Sequence, residues 1–105
     1  MGKVAEIIAQ VQAILVGSSG IAQAEAFLRE LLDGLDLDTL RRVEAVMYSG
    51  RGDGSPVALR PELTENHPTK DDVIEAIIEK LSNIDVYLEK GLDLANAEGI
   101  DLDTF

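Results

Sequence analysis

The chain has no cysteine, no tryptophan and one histidine, and it is short of cations: Lys plus Arg number 9 against 20 Asp plus Glu. Each shortage removes a class of chemistry. Without cysteine there is neither a disulfide scaffold nor a thiolate nucleophile or metal ligand. The single histidine, His67, rules out sites built on two imidazoles, zinc sites above all. Four aromatic side chains (Phe27, Tyr48, Tyr87 and Phe105) are too few to line a saccharide cleft, which argues against paired carboxylates acting on glycosides. A formal charge of −11 repels nucleic-acid phosphates and anionic lipid and leaves basic surfaces as electrostatic partners. Long apolar runs are missing too. Ile7 to Val16 is shorter than the roughly 20 residues a bilayer requires, and Gln10 and Gln12 interrupt it. That stretch lacks the unbroken centre and cleavage site of a signal peptide, and Ile7 stands where a myristoylation motif needs Ser or Thr. A cytoplasmic protein with no membrane and no direct nucleic-acid partner is expected.

What is present is helical periodicity. At 105 residues, 46% of them hydrophobic, the chain closes about one core, so residues 1–105 form a single domain. Val4, Ile7, Ile8, Val11, Ile14 and Leu15 recur at three- and four-residue spacing and predict a first helix over about 3–16, ended by Gly17. Ala5, Ala9 and Ala13 add a small-residue strip, so this helix is either central or covered by a partner. A second helix is expected over about 21–33, ended by Gly34. A third runs over about 39–49, capped by Asp36 or Asp38, with Leu40, Val43, Val46 and Met47 inward and Arg41, Arg42 and Glu44 mostly off that stripe.

Residues 50–68 predict one long loop, because Gly50-Arg51-Gly52-Asp53-Gly54, Ser55-Pro56, Arg60-Pro61 and His67-Pro68 all oppose regular structure. Loops of this length are functional or mobile. Thr69-Lys70-Asp71-Asp72 approximates a capping box and restarts helix through Leu81. A break at 82–85 precedes a last helix over about 84–97, in which Gly91 marks a weak point or a close helix contact. Gly34-Leu35-Asp36-Leu37-Asp38-Thr39-Leu40 is echoed by Gly99-Ile100-Asp101-Leu102-Asp103-Thr104-Phe105. The second copy has no helix after it to cap, and its Ile100, Leu102 and Phe105 are expected to dock as an apolar tail. The fold class is therefore all-α: one small bundle of four to five helices with a long loop at about 50–68.

No catalytic constellation emerges. His67, between Asn66 and Pro68, reads as solvated, because general-base work needs an orienting carboxylate and none is evident. Ser49 and Ser55 sit in no nucleophile-elbow pattern. Asp36/Asp38 and Asp101/Asp103 have the spacing that opens a calcium loop, but the mid-loop Gly and final Glu do not follow, so no metal is assigned. No cofactor motif is present. The Gly50–Gly54 run offers backbone N–H groups and Arg51 to an anion, although no strand precedes it and no P-loop Lys is there. Arg51, Asp53, Arg60 and His67 are the candidate ligand-binding residues, and they qualify only if they converge in one pocket. The competing role for the run is structural: Gly50 ends the third helix, Arg51 neutralises its carbonyls and Asp53 bonds turn amides.

Leu37 to Asp53, ending Val43-Glu44-Ala45-Val46-Met47-Tyr48-Ser49-Gly50-Arg51-Gly52-Asp53, resembles the bacterial domain of unknown function 3775 family, in which a helix with an aromatic near its end runs into Gly-Arg-Gly-Asp. Asp85-Val86-Tyr87-Leu88-Glu89-Lys90-Gly91-Leu92 is similar to that family's Asp-Tyr-Leu-Glu-Glu-Gly-Leu ending. The family's Trp-containing segment after Gly-Arg-Gly-Asp and its Gly-x-Pro before the last helix are replaced here, and the first 20 residues do not match it. The resemblance implies a helical domain and structural roles for Arg51, Asp53, Tyr87 and Gly91. It supplies no activity, because the family has none assigned.

Three functions follow as expectations. The leading one is a small non-enzymatic protein, structural or binding another protein, that self-associates as a homodimer through its first helix. The second is an acidic regulator occupying a basic partner surface. The third is an anion-binding or enzymatic domain using the Gly-Arg-Gly-Asp loop.

Overall fold

The apolar stripes wind into helices, but six rather than four to five. The computed structural model describes residues 2–105 as α1 (Lys3–Gly17), α2 (Ile21–Asp33), α3 (Leu37–Arg51), α4 (Pro56–Asn66), α5 (Lys70–Glu79) and α6 (Ile84–Glu98), with no strand among the described residues. α3 is the hub: α1, α4, α5 and α6 all pack against it, while α2 lies on α1 and α5. Ten of its 15 residues are buried, so it is covered on every side. Leu40, Val43, Val46 and Met47 are fully inaccessible, as are Ile8 and Val11 of α1, Leu28 and Leu32 of α2, Ile77 of α5 and Leu88 of α6. Each such side chain contributes roughly 1.5–3 kcal/mol by leaving water.

The helix that sequence pattern alone misses is α4. Pro56 occupies its first turn, where the fixed φ is already helical and no N–H is needed, and Ser55 accepts the first backbone bond from Leu59 at 3.0 Å. Pro61 lies inside it and costs one bond to the Val57 carbonyl. The helix survives because Pro56, Leu59 and Leu63 recur at helical spacing and bury themselves on α3. The expected loop at 50–68 therefore shrinks to short links on either side of α4.

Two glycines set the closest approach in the bundle. A Cβ on Gly50 would overlap the Tyr87 carbonyl of α6, and one on Gly91 would overlap the Val46 carbonyl of α3. Gly50 thus lies within α3 as a contact residue and does not end it. That role passes to Gly52, left-handed at φ +106°, whose N–H bonds the Ser49 carbonyl at 3.0 Å. Gly91 is the close helix contact its position suggests. At the start of α5 the capping box is complete, with Asp72 N–H to Thr69 Oγ1 and Thr69 N–H to Asp72 Oδ2, both at 3.2 Å.

The repeated Gly-x-Asp-Leu-Asp-Thr segment is not one device used twice. Gly34 is right-handed (φ −80°) and Gly99 left-handed (φ +70°). The second copy also does cap a helix, one distant in sequence: Asp103 accepts the N–H groups of Lys3 (3.1 Å) and Val4 (2.9 Å) at the start of α1. Leu102 and Phe105 pack against the core beside it. Val4, Ile7, Ile8 and Val11 are buried within the chain, so the main apolar face of α1 is covered by the protein itself.

Candidate functional site

One stripe of α3 carries polar residues at the spacing an apolar stripe would have: Arg41, Glu44, Tyr48 and Arg51. It faces the end of α4, where His67 is the C-terminal cap. Arg41, only 9% exposed, donates Nη1 to the His67 carbonyl (2.9 Å) and Nη2 to the Pro68 carbonyl (3.1 Å), pinning the link between α4 and α5 to α3. One turn on, the Glu44 carboxylate is fully buried and its Oε2 lies 2.7 Å from His67 Nδ1. The Tyr48 ring stacks on His67, 6.5 Å between centroids at 27°. The Arg51 guanidinium lies 4.8 Å from the Tyr48 centroid and bonds Asp53 Oδ2 through Nε (2.9 Å) and Nη2 (2.8 Å).

Tyr48, Arg51, Asp53 and His67 border a cleft of about 420 Å³ between the end of α3 and α4, with Leu59, Leu63, Glu62 and Asn66 completing its lining. Arg51, Asp53 and His67 therefore converge as the candidate set requires. Arg60 does not. It points away from the cleft, binds Asp38 and the main-chain oxygen of Phe105, and joins Arg42 in clamping the last residues to α3. His67 is also not the solvated side chain its loop-like context suggests, because Glu44 supplies the orienting carboxylate.

Burial pushes the Glu44 carboxyl up to about 7, against the opposing pull of His67 and Arg41. Glu44 Oε1 is buried with no hydrogen-bond partner among the described residues. Burial also raises the Tyr48 phenol. With Nδ1 engaged by Glu44, His67 Nε2 makes no bond among the described residues and is left to meet a ligand, as donor or acceptor according to the tautomer. Ser49, a neighbouring hydroxyl in sequence, is 1% exposed and closed to any substrate.

The anion cradle expected of the glycine run does not form. The N–H groups of Gly52 and Asp53 close the end of α3 by bonding the Ser49 and Tyr48 carbonyls, and Gly50 is packed against α6. No three His, Asp or Glu side chains converge as a metal site among the described residues, and no helix is long and apolar enough to cross a membrane. A second hollow, about 340 Å³, lies at the α1–α2 elbow beside Leu15, Ile21, Ala24 and Leu81. Val16 (87% exposed) and Ile21 (71%) stand open there.

Sequence reasoning missed Glu44 and Arg41 because it counted only apolar residues when drawing the faces of α3. The available signal was the 41-44-48-51 spacing itself, which marks a polar stripe along one face of α3. No family model, no curated protein and no solved structure matches the chain.

Proposed function

We propose that the chain is a non-enzymatic binding module whose recognition site is the cleft between Tyr48 and His67. The observation that carries this reading is the convergence of Tyr48, Arg51, Asp53 and His67, from two segments of the chain, on one cleft of about 420 Å³. The buried Glu44 behind it fixes the imidazole and leaves Nε2 free for a ligand. The aromatic-Gly-Arg-Gly-Asp segment that resembles the domain of unknown function 3775 family forms one wall of this cleft, which ties that resemblance to the same site. Screening a library of small polar fragments by amide chemical shifts tests it. Hits are expected to move Tyr48, Arg51, Asp53 and His67 together. Hits that move residues elsewhere, or no hits at all, refute the reading.

Self-association is the second reading, and it now rests on the α1–α2 elbow. Ile7 to Ala24 contains no charged residue in a chain of net charge −11, so two copies meeting there bring no like charges of this segment together. Light scattering is expected to report a dimer that Val16→Lys converts to a monomer. A monomer at every concentration of the unaltered protein removes this reading.

A further inference from the structure

The chain contains the dipeptide Asp-Gly twice, at Asp33-Gly34 and at Asp53-Gly54. This pair is open to attack of the backbone on a side-chain carboxyl, because glycine places no side chain beside its own nitrogen. For a ring to close, the peptide plane between the two residues must turn until the glycine nitrogen faces Cγ of the aspartate. The fold treats the two planes in opposite ways. At the end of α2 the Gly34 N–H bonds the Leu31 carbonyl at 3.3 Å, and the Asp33 carbonyl accepts Lys70 Nζ at 2.5 Å, so that plane is held at both ends. In the link between α3 and α4, neither the Gly54 N–H nor the Asp53 carbonyl bonds any group among the described residues. Both residues are exposed, and Gly54 stands at φ +140°, where glycine alone is at ease. What restrains Asp53 is its side chain: Oδ2 takes bonds from Arg51 Nε (2.9 Å) and Nη2 (2.8 Å), while Oδ1 takes none.

We infer that Asp53-Gly54 is a site of spontaneous isoaspartate formation in the folded protein, with the Arg51 ion pair as its brake. The Gly54 nitrogen bonds to Asp53 Cγ. Its proton and the carboxyl hydroxyl leave together as water, and a five-membered succinimide results. One water then adds to the ring. Opening at Cγ restores aspartate. Opening at the main-chain carbonyl breaks the original bond between Asp53 and Gly54, routes the chain through Cγ and frees the α-carboxylate. Water is the only reactant besides the chain itself. The main chain gains one carbon and the carboxylate is drawn back onto Cα, so it withdraws from Arg51, and the wall of the cleft that both residues line is altered. The inference holds whether or not the cleft binds a ligand.

The test ages the whole chain at neutral pH and physiological temperature, folded and in urea. It follows the tryptic peptides carrying Asp33 and Asp53 by chromatography and electron-transfer fragmentation. In urea both are expected to gain isoaspartate at similar rates, which sets a reference for each. In the folded chain Asp53 is expected to stay within about fivefold of its reference, since only an exposed ion pair restrains it. Asp33 is expected to fall about tenfold or more below its own, because two hydrogen bonds must open first. Arg51→Ala raises the rate at Asp53 by about two- to fivefold and leaves Asp33 unchanged. Asp53→Glu keeps the charge but closes only a six-membered ring, which forms far more slowly, so it removes the signal at residue 53 with the thermal transition unmoved. A folded chain in which Asp53 drops as far below its urea reference as Asp33 overturns the inference, because the link is then protected by the fold. A rate at Asp53 that Arg51→Ala leaves unchanged or lowers overturns the brake. Isoaspartate that persists in the same peptide of Asp53→Glu overturns the assignment to residue 53.

Discussion

The two sides of α3 are buried by opposite means. Toward α6 the contact is apolar and so close that Gly50 and Gly91 leave no space for a methyl group. Toward the end of α4 it is polar: Arg41 and Glu44 reach across to His67 and Pro68, and the chains stand far enough apart to leave the cleft. Backbone-to-backbone packing leaves no volume for a ligand and tolerates almost no change. Packing through long polar side chains leaves volume, and it places ionisable groups where a ligand reaches them.

The largest effect that sharpens this contrast is expected at the glycine contact. Gly91→Ala drives a methyl group into the Val46 carbonyl, backbone against backbone, where no rotamer change relieves it. It is predicted to cost about 3 kcal/mol or more, read as a lost or strongly lowered thermal transition. Tolerance of Gly91→Ala with an unchanged melt breaks the claim that α3 and α6 touch through their main chains.

How far each side was legible follows from the same difference. The apolar stripes of α1, α2, α3, α5 and α6, the Thr69 capping box and the Gly91 contact all follow from residue type and spacing, because burial of hydrocarbon is written one residue at a time. α4 does not, since Pro56 and Pro61 signal interruption locally and only packing of Leu59 and Leu63 on α3 outweighs them. The site is half legible. Arg51, Asp53 and His67 stand out by composition. The link from Glu44 to His67 spans 23 residues and exists only once α4 folds back on α3. Arg60 was misplaced for the same reason: its partners, Asp38 and the Phe105 main chain, are remote in sequence.

A second, somewhat smaller effect tests the polar side through pH. The Glu44 carboxyl titrates at about 7 in the folded chain and near its ordinary value of 4.5 when unfolded. Between those values the folded state keeps a proton that the unfolded state has lost, so stability falls as pH rises from about 4.5 to 7 and levels off above. The full loss is at most about 3 kcal/mol. Glu44→Gln, which has no such proton, is predicted to flatten that part of the profile in denaturant unfolding. Identical slopes in the two proteins would mean that Glu44 is not held in the dry environment described.

The smallest effects separate the two ends of the polar stripe. Arg41 is nearly enclosed, and both of its bonds end on main-chain carbonyls, so Arg41→Ala leaves those carbonyls without a partner and is predicted to cost about 2 kcal/mol. Arg51 has a side chain 40% exposed, paired with an Asp53 side chain 35% exposed and laid against Tyr48. Solvent screens that pair, and the ring contact is worth about 0.5–1 kcal/mol at an exposed site. Arg51→Ala is therefore predicted to lower stability by no more than about 1 kcal/mol by chemical denaturation. The gradient along one helix, from an arginine that holds the chain together to one that the fold can spare, is what a binding edge at the far end of the stripe requires. Equal losses for the two variants would make Arg51 as structural as Arg41 and remove it from the residues free to serve a ligand.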